Sequence, residues 1–226
     1  MMNGLLKDKQ TELYQQLARL GEALSSPHRL KIVSLLSQGA KTVDQLAGLI
    51  GQSKATTSAH LKVLENSGMM LKRKQGRYVW CRLANRKTLQ FWLDLRSLGQ
   101  DLLPESREIV QTHFSDKDSV SDLDPATLSQ RLATESLTLL DLRPLDEFEA
   151  GHLPTARHLP YAKLSEQLSQ LVGDTPLLVY CRGPYCLQAL KGTETLREKG
   201  LPAQRLTFGA PEWFAEGLSL EAEIEV

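Results

Sequence analysis

The chain has 226 residues, 41% of them apolar, with 27 basic and 27 acidic side chains. That length is enough for two compact domains, each burying its own core. No run is long and apolar enough to span a bilayer, and Met1–Gln10 lacks the apolar stretch of a signal peptide, so a soluble, cytoplasmic protein with no membrane partner is expected. The three cysteines, two of them close together, do not make a secreted disulfide framework. The zero net charge conceals an asymmetry: residues 1–110 carry 17 Lys and Arg against 9 Asp and Glu, whereas residues 111–226 carry 10 against 18. A half with a surplus of eight positive charges suits a polyanionic partner.

In chain order, apolar residues at helical spacing predict a first helix over Leu5–Leu24. Ser26-Pro27 starts a second, which carries Leu30, Ile32, Val33, Leu35 and Leu36 and stops before Gly39. Thr42 caps a third, with Val43, Leu46, Ala47 and Ile50 inward, and Gly51 makes the turn. Ser53 then caps a helix whose first turns expose Lys54, Thr56, Thr57, Ser58 and His60, while Leu61 and Leu64 form its apolar face. After Gly68 come a strand, a basic turn Lys72–Arg77 and a second strand Tyr78–Leu83. Helix, turn, polar-faced helix and basic hairpin make an α+β winged helix-turn-helix. Ordinary capping would explain a Ser/Thr-rich helix start, and a solvated tip would explain the basic turn. Together, on a basic half, they predict double-stranded DNA as partner, contacted by Ser53, Lys54, Thr56, Thr57, Ser58 and His60 and by Arg73, Lys74 and Arg77 of the wing.

This stretch resembles the ArsR family of bacterial repressors. The matching residues are Ala23–Leu36, Ser58–Gly68 and the wing that ends Tyr78-Val-Trp-Cys-Arg-Leu. The resemblance implies that the flanking helices, Leu5–Leu24 and Lys87–Leu103, pair two subunits; Leu89, Phe91, Trp92, Leu95, Leu98 and Leu102 give the latter an apolar face that predicts a homodimer. Metal-sensing members place a Cys-x-Cys pair before the recognition helix, or paired His and Asp on the last helix. Here Lys41–Ala47 has no thiol, the last helix has Asp94 and Asp101 without His, and Cys81 sits alone in a strand, so neither a metal site nor a cofactor is expected.

These patterns place the DNA-binding and dimerisation domain at 1–110, a polar linker at 111–122 and a second domain at 123–226. The second domain alternates strands (Leu137–Leu142, near Ala156–Leu159, Leu177–Tyr180, Ala203–Phe208) with helices (Leu145–Ala150, Ala162–Leu171, Leu187–Lys199), which predicts α/β with a central parallel sheet. Cys181 falls at the carboxyl end of a strand, in a short loop before a helix N-terminus, where backbone N–H groups and the helix dipole stabilise a thiolate. The alternative is an inert core cysteine.

Leu139–Pro160, the cysteine loop and Phe208-Gly-Ala-Pro-Glu-Trp together resemble the rhodanese (sulfurtransferase) family over about Leu123–Leu220. The resemblance implies that Cys181 accepts a sulfane sulfur, holds it as a persulfide in the cradle of Arg182, Gly183, Pro184, Tyr185 and Cys186, and passes it to a thiol acceptor. Two positions depart from the family. Cys186 stands where many members have Arg or Thr, and Pro184 where they have Gly, so cationic help for a thiosulfate donor falls to Arg182 or elsewhere. Cys186 either resolves the Cys181 persulfide or faces away as the first buried residue of the helix. Position 187 is Leu, which disfavours phosphoryl or arsenate transfer. Asp141 and His152 are expected to shape the strand end and turn, and Arg143 to pair with Glu147. Two functional readings follow: a DNA-binding regulator, of repressor type, that responds to reactive sulfur, and a sulfurtransferase that uses the basic half for tethering or autoregulation.

Overall fold

The computed structural model describes residues 2–115, 120–135, 137–168, 171 and 176–222, with side chains from residue 8. The chain forms two compact units, one up to Thr88 and one from Leu89 onward.

In the first unit, α1 (Met2–Leu24), α2 (Pro27–Leu36), α3 (Val43–Ile50) and α4 (Lys54–Asn66) accompany a three-stranded antiparallel sheet, ordered β1 (Lys41–Thr42), β3 (Tyr78–Leu83), β2 (Met70–Gln75). Thr42 starts α3 through a reciprocal cap: the Gln45 N–H donates to Thr42 Oγ1 at 3.2 Å, and the Thr42 N–H donates to Gln45 Oε1 at 2.8 Å. Gly51, at φ 68°, ends it. Ser53 Oγ accepts the Thr56 N–H at 3.1 Å and so aims the first turn of α4. Ile32, Leu36, Leu46, Leu61, Leu64 and Leu83 are buried at the centre, each contributing about 1.5–3 kcal/mol of burial. The basic segment differs from its predicted form. Lys72, Arg73 and Lys74 belong to strand β2, and Gln75 pairs with Tyr78, so only Gly76 and Arg77 form the turn. Apart from Met70 and Leu71 the strand is polar and largely exposed, so no apolar alternation marks it in the sequence.

In the second unit, α5 (Arg86–Leu102) and α6 (Pro104–His113) precede an α/β layer: α7 (Pro125–Thr134), β4 (Thr138–Asp141), α8 (Leu145–Ala150), β5 (Arg157–His158), a 3-10 turn leading into α9 (Leu164–Gln167), β6 (Leu177–Tyr180), α10 (Leu187–Glu198), β7 (Ala203–Arg205) and α11 (Ala210–Ala215). The four strands are parallel in the order β5-β4-β6-β7. Leu140, Leu142, Leu159, Val179, Ala189 and Leu196 form its core. β1, α6 and α7 are additional to the predicted elements, and β7 ends at Arg205, short of the predicted end at Phe208. Residues 116–119 of the predicted linker and residues 169–170 of the predicted helix 162–171 lie outside the described residues.

Candidate functional site

Cys181 follows the last residue of β6, and Cys186 is the N-cap of α10. The loop between them is closed by the Cys186 N–H donating to the Gly183 carbonyl at 3.3 Å. Gly183 has φ 104°, a conformation that a side chain would strain, and a Cβ there would lie 2.9 Å from Glu212 Oε1. Across the loop, Gly209 comes so close that a Cβ would lie 2.4 Å from the Cys181 carbonyl oxygen. The Gly-x-Pro-x-Trp segment therefore packs directly on the cysteine backbone, anchored by Trp213, which is buried and donates Nε1–H to the Ser219 carbonyl at 2.8 Å.

The two loop cysteines are close enough that each is the first influence on the titration of the other. Both are reduced. Cys181 is only 1% exposed, and its thiol donates to Gln188 Oε1 at 3.9 Å. The hydrogen bond to Cys186 and then burial push its pKa up, against the opposing N–H and charge of Arg182. Cys186, half-buried, is lowered to about 6, first by the Cys181 hydrogen bond and then by the N–H groups of Arg182, Ala189 and Gln188, which outweigh its burial. The two thiols therefore titrate as a pair, Cys181 raised and Cys186 lowered.

Arg182 is committed elsewhere. Its Nε and Nη2 donate to the two oxygens of the buried Glu147, both at 2.7 Å. Its guanidinium is therefore a fixed charge beside the sulfurs and is already neutralised by a carboxylate. The pairing expected for Arg143 is redrawn in the same way. Arg143 forms a bidentate contact with Asp141, Nη2 to Oδ2 at 2.6 Å, with neither side chain exposed. Burial alone would lower the pKa of Arg143; the Asp141 charge and hydrogen bonds, with Tyr180 and Glu147 adding to them, raise it instead. His152 sits against Phe148, ring centroids 3.7 Å apart, and its Nδ1 lies 2.9 Å from the Phe148 carbonyl. Asp141 and His152 are framework residues that fix the strand end and the following turn.

Two residues of α5, which no sequence pattern singles out, also meet this loop. Arg96 pairs with Glu212 at 2.7 Å and lies 5.6 Å over the Tyr185 ring, while Gln100 Nε2 donates to the Tyr185 hydroxyl. Nothing local marks Arg96 or Gln100; they stand in an amphipathic helix 85 or more positions before the residues they touch.

In the first unit, Ser53, Lys54, Thr56 and Ser58 lie exposed on α4, and Arg73, Lys74 and Arg77 lie exposed on the wing. Lys54 pairs with Asp44 at 2.8 Å, and Arg77 donates to the Tyr78 hydroxyl at 2.7 Å. Thr57 is the exception: it is fully buried on the inner face of α4, so it is removed from the outward set. Helical geometry explains this, since Thr57, Leu61 and Leu64 share the i, i+4, i+7 face. His60 is half-buried, stacked on His28 with centroids 5.5 Å apart. Burial first, then Arg29 and His28, lower its pKa, so it is a neutral imidazole at neutral pH. Cys81 is a buried core residue, its thiol pushed up to about 11 by burial.

With these two sites described, comparison with known proteins is decisive. The family described as "Bacterial regulatory protein, arsR family" matches residues 26–70, and the rhodanese-like domain family matches residues 124–216. The HTH-type transcriptional regulator Rv0324 of Mycobacterium tuberculosis is 32% identical over 215 residues, 95% of this chain and 94% of that one. The chain belongs to the ArsR family. It is a winged helix-turn-helix regulator that carries a C-terminal rhodanese-like domain. A sulfurtransferase of Allochromatium vinosum is 38% identical to the regulator over 64 residues, 28% of this chain and 60% of that one. Among solved structures, the homodimeric winged helix-turn-helix DNA-binding domain of Mb0332 from Mycobacterium bovis is 30% identical, covering 43% of the regulator and 91% of that fragment, with a TM-score of 0.41. No helix among the described residues is long and apolar enough to cross a membrane.

Proposed function

We propose that this regulator binds double-stranded operator DNA as a homodimer, and that its rhodanese-like domain adjusts that binding by holding sulfane sulfur as a persulfide on Cys181. The exposed faces of α4 and the wing supply the DNA surface, with Arg73, Lys74 and Arg77 meeting phosphates and Ser58 and neutral His60 at the groove. Leu13, Tyr14 and Leu17 of α1 and Phe91, Leu98 and Leu102 of α5 are large apolar residues left exposed on helices that a second copy would cover.

The observation that carries the regulatory reading is the grip of α5 on the loop. Tyr185, four residues after Cys181, is held by Gln100 and Arg96, and α5 begins three residues after the last wing strand. A sulfur atom added inside so tight a loop must displace some of its neighbours, and Tyr185 passes that displacement to the helix that follows the wing in the chain. The pairing of Arg182 with Glu147 also bears on the donor. A dianion such as thiosulfate finds that guanidinium already neutralised, so a low-molecular-weight hydropersulfide suits the loop better, with a small thiol as acceptor.

The test uses full-length protein and a duplex selected by that protein from a random pool. After treatment with glutathione hydropersulfide, wild type should gain the mass of one sulfur and change its affinity for the duplex, whereas Cys181→Ser should keep its affinity. An adduct with unchanged affinity would refute the regulatory coupling and favour a tethered sulfurtransferase.

A further inference from the structure

We infer that a cavity between the carboxyl ends of α5 and α6 and the cysteine loop binds the organic part of the sulfur donor, and that it selects a zwitterionic peptide thiol. This rests on the proposed sulfur chemistry of Cys181 and adds the part of the site that recognises what carries the sulfur.

The described residues line a cavity of about 800 Å³, a size that holds a small organic molecule. Its walls all come from the second unit. Pro184, from the middle of the loop that begins at Cys181, forms one part; Val110, Phe114 and Val120 form another, and together they offer an apolar surface to methylene groups. Arg205 ties these parts together, since its Nη1 donates to the Pro184 carbonyl at 3.4 Å and its Nη2 to the Phe114 carbonyl. The Phe114 ring also meets that of Tyr185, centroids 5.8 Å apart. Pro184 is three residues from Cys181, at most about 10 Å of extended chain, and a tripeptide spans a similar length. A donor whose outer sulfur meets Cys181 therefore carries its remaining atoms within reach of this wall.

The polar lining decides the class of ligand. Gln100 and Gln111 bring amide groups, Asp122 a carboxylate and Arg205 a guanidinium. Amide side chains pair with peptide groups, Asp122 with an ammonium and Arg205 with a carboxylate, so a molecule with both charges and peptide bonds matches every group. A thiol bearing several phosphates does not, because Arg205 is the single cation among the described lining residues and Asp122 would repel it. Residues 100–122 of this wall lie outside both family matches, so the cavity is a feature of the two-domain chain. Gln100 also donates to the Tyr185 hydroxyl, so a molecule in the cavity touches the same contact through which the loop meets α5. Transfer balances with such a donor, R–S–SH, as the sole co-reactant. The Cys181 sulfur attacks the outer sulfur, the S–S bond breaks with its electron pair on RS⁻, and RS⁻ takes the Cys181 proton and leaves as RSH.

The experiment follows sulfur uptake by full-length protein, read by intact mass, from two donors: glutathione hydropersulfide, which carries a tripeptide, and hydrogen disulfide, which carries no organic part. Val110→Trp fills the cavity from α6 and should lower the ratio of the first rate to the second at least about tenfold, the loss expected when a bound group is displaced. Asp122→Asn removes one exposed ionic contact and should lower the same ratio about two- to fivefold. A ratio unchanged in both variants, equal slowing with both donors included, would overturn the inference and leave the proposed function standing. Uptake by wild type from neither donor would overturn both. S-Methylglutathione, which has no sulfur to donate, supplies a check independent of the folding of the variants. Calorimetry should show it binding wild type with a Kd below about 1 mM, the upper end of usual KM values, and no saturable binding up to about 10 mM would overturn the inference.

Discussion

Replacing Gly209 by alanine tests whether the contact between the Gly-x-Pro-x-Trp segment and the cysteine loop is as tight as the structure has it. Gly209 has φ −140° and ψ −158°, extended backbone that alanine also adopts, so no conformational penalty arises. Loss of glycine freedom in the unfolded chain would by itself stabilise the protein by about 0.4–1 kcal/mol. Against this, the new Cβ would lie 2.4 Å from the Cys181 carbonyl oxygen and 3.4 Å from the Gly183 nitrogen. Carbon and carbonyl oxygen rest at roughly 3.3–3.6 Å, so one backbone must retreat by about 1 Å. Both partners are main chain and cannot rotate away, which places the cost at about 1–3 kcal/mol. The steric effect therefore wins, with net destabilisation of about 1–2 kcal/mol. At a urea slope of about 1–3 kcal/mol per molar, the midpoint should fall by roughly 0.5–1 M. Hydrogen exchange of the β6 segment along a urea titration assigns the midpoint to the correct unit. Gly99→Ala in α5, where a Cβ meets nothing within 4 Å, should instead raise stability by about 0.5–1 kcal/mol. A Gly209→Ala midpoint that rises as the Gly99→Ala midpoint does would refute the close approach.

Four further outcomes are expected. Asp141→Asn, which breaks a bidentate pair in which neither side chain is exposed, should destabilise the α/β unit by about 3–5 kcal/mol, measured by the same exchange titration. Thr57→Val removes a buried hydroxyl that has no hydrogen-bond partner among the described residues, so stability should hold or rise and affinity for the selected duplex should stay within about twofold; a large loss of affinity would return Thr57 to the DNA surface. Arg73→Ala and Lys74→Ala should each weaken binding similarly on all sequences and reduce the slope of log affinity against log salt by about 1, read from binding isotherms at several salt concentrations. Alkylation of native protein should rise with pH through about 6, as the depressed pKa of Cys186 requires, while Cys81, raised to about 11, stays unlabelled at neutral pH until denaturant is added.

Much of this architecture is written locally. The capping signals at Thr42 and Ser53, Pro27 at the start of α2, and the apolar run ending at Cys181 specify elements through contacts within a few residues, and those elements stand within one or two positions of their expected ends. The motif residues at 139–160, 181–186 and 208–213 likewise reveal the cysteine loop, because the turn chemistry they encode is short-range. Tertiary structure decided the partners. Arg143 takes Asp141 two residues before it, leaving Glu147 to reach Arg182 across 35 positions, a choice made by which strand end stands beside which helix. Thr57 turns inward because the face of α4 is set by the core it packs on, although its composition reads as one polar turn. Cys181 meets Gln188, and Tyr185 meets Gln100 and Arg96, only once β6, α10 and α5 occupy their places in the unit. Sequence patterning carries periodicity and turn chemistry; the charge on each sulfur depends on groups brought together by chain closure, and no local pattern records those.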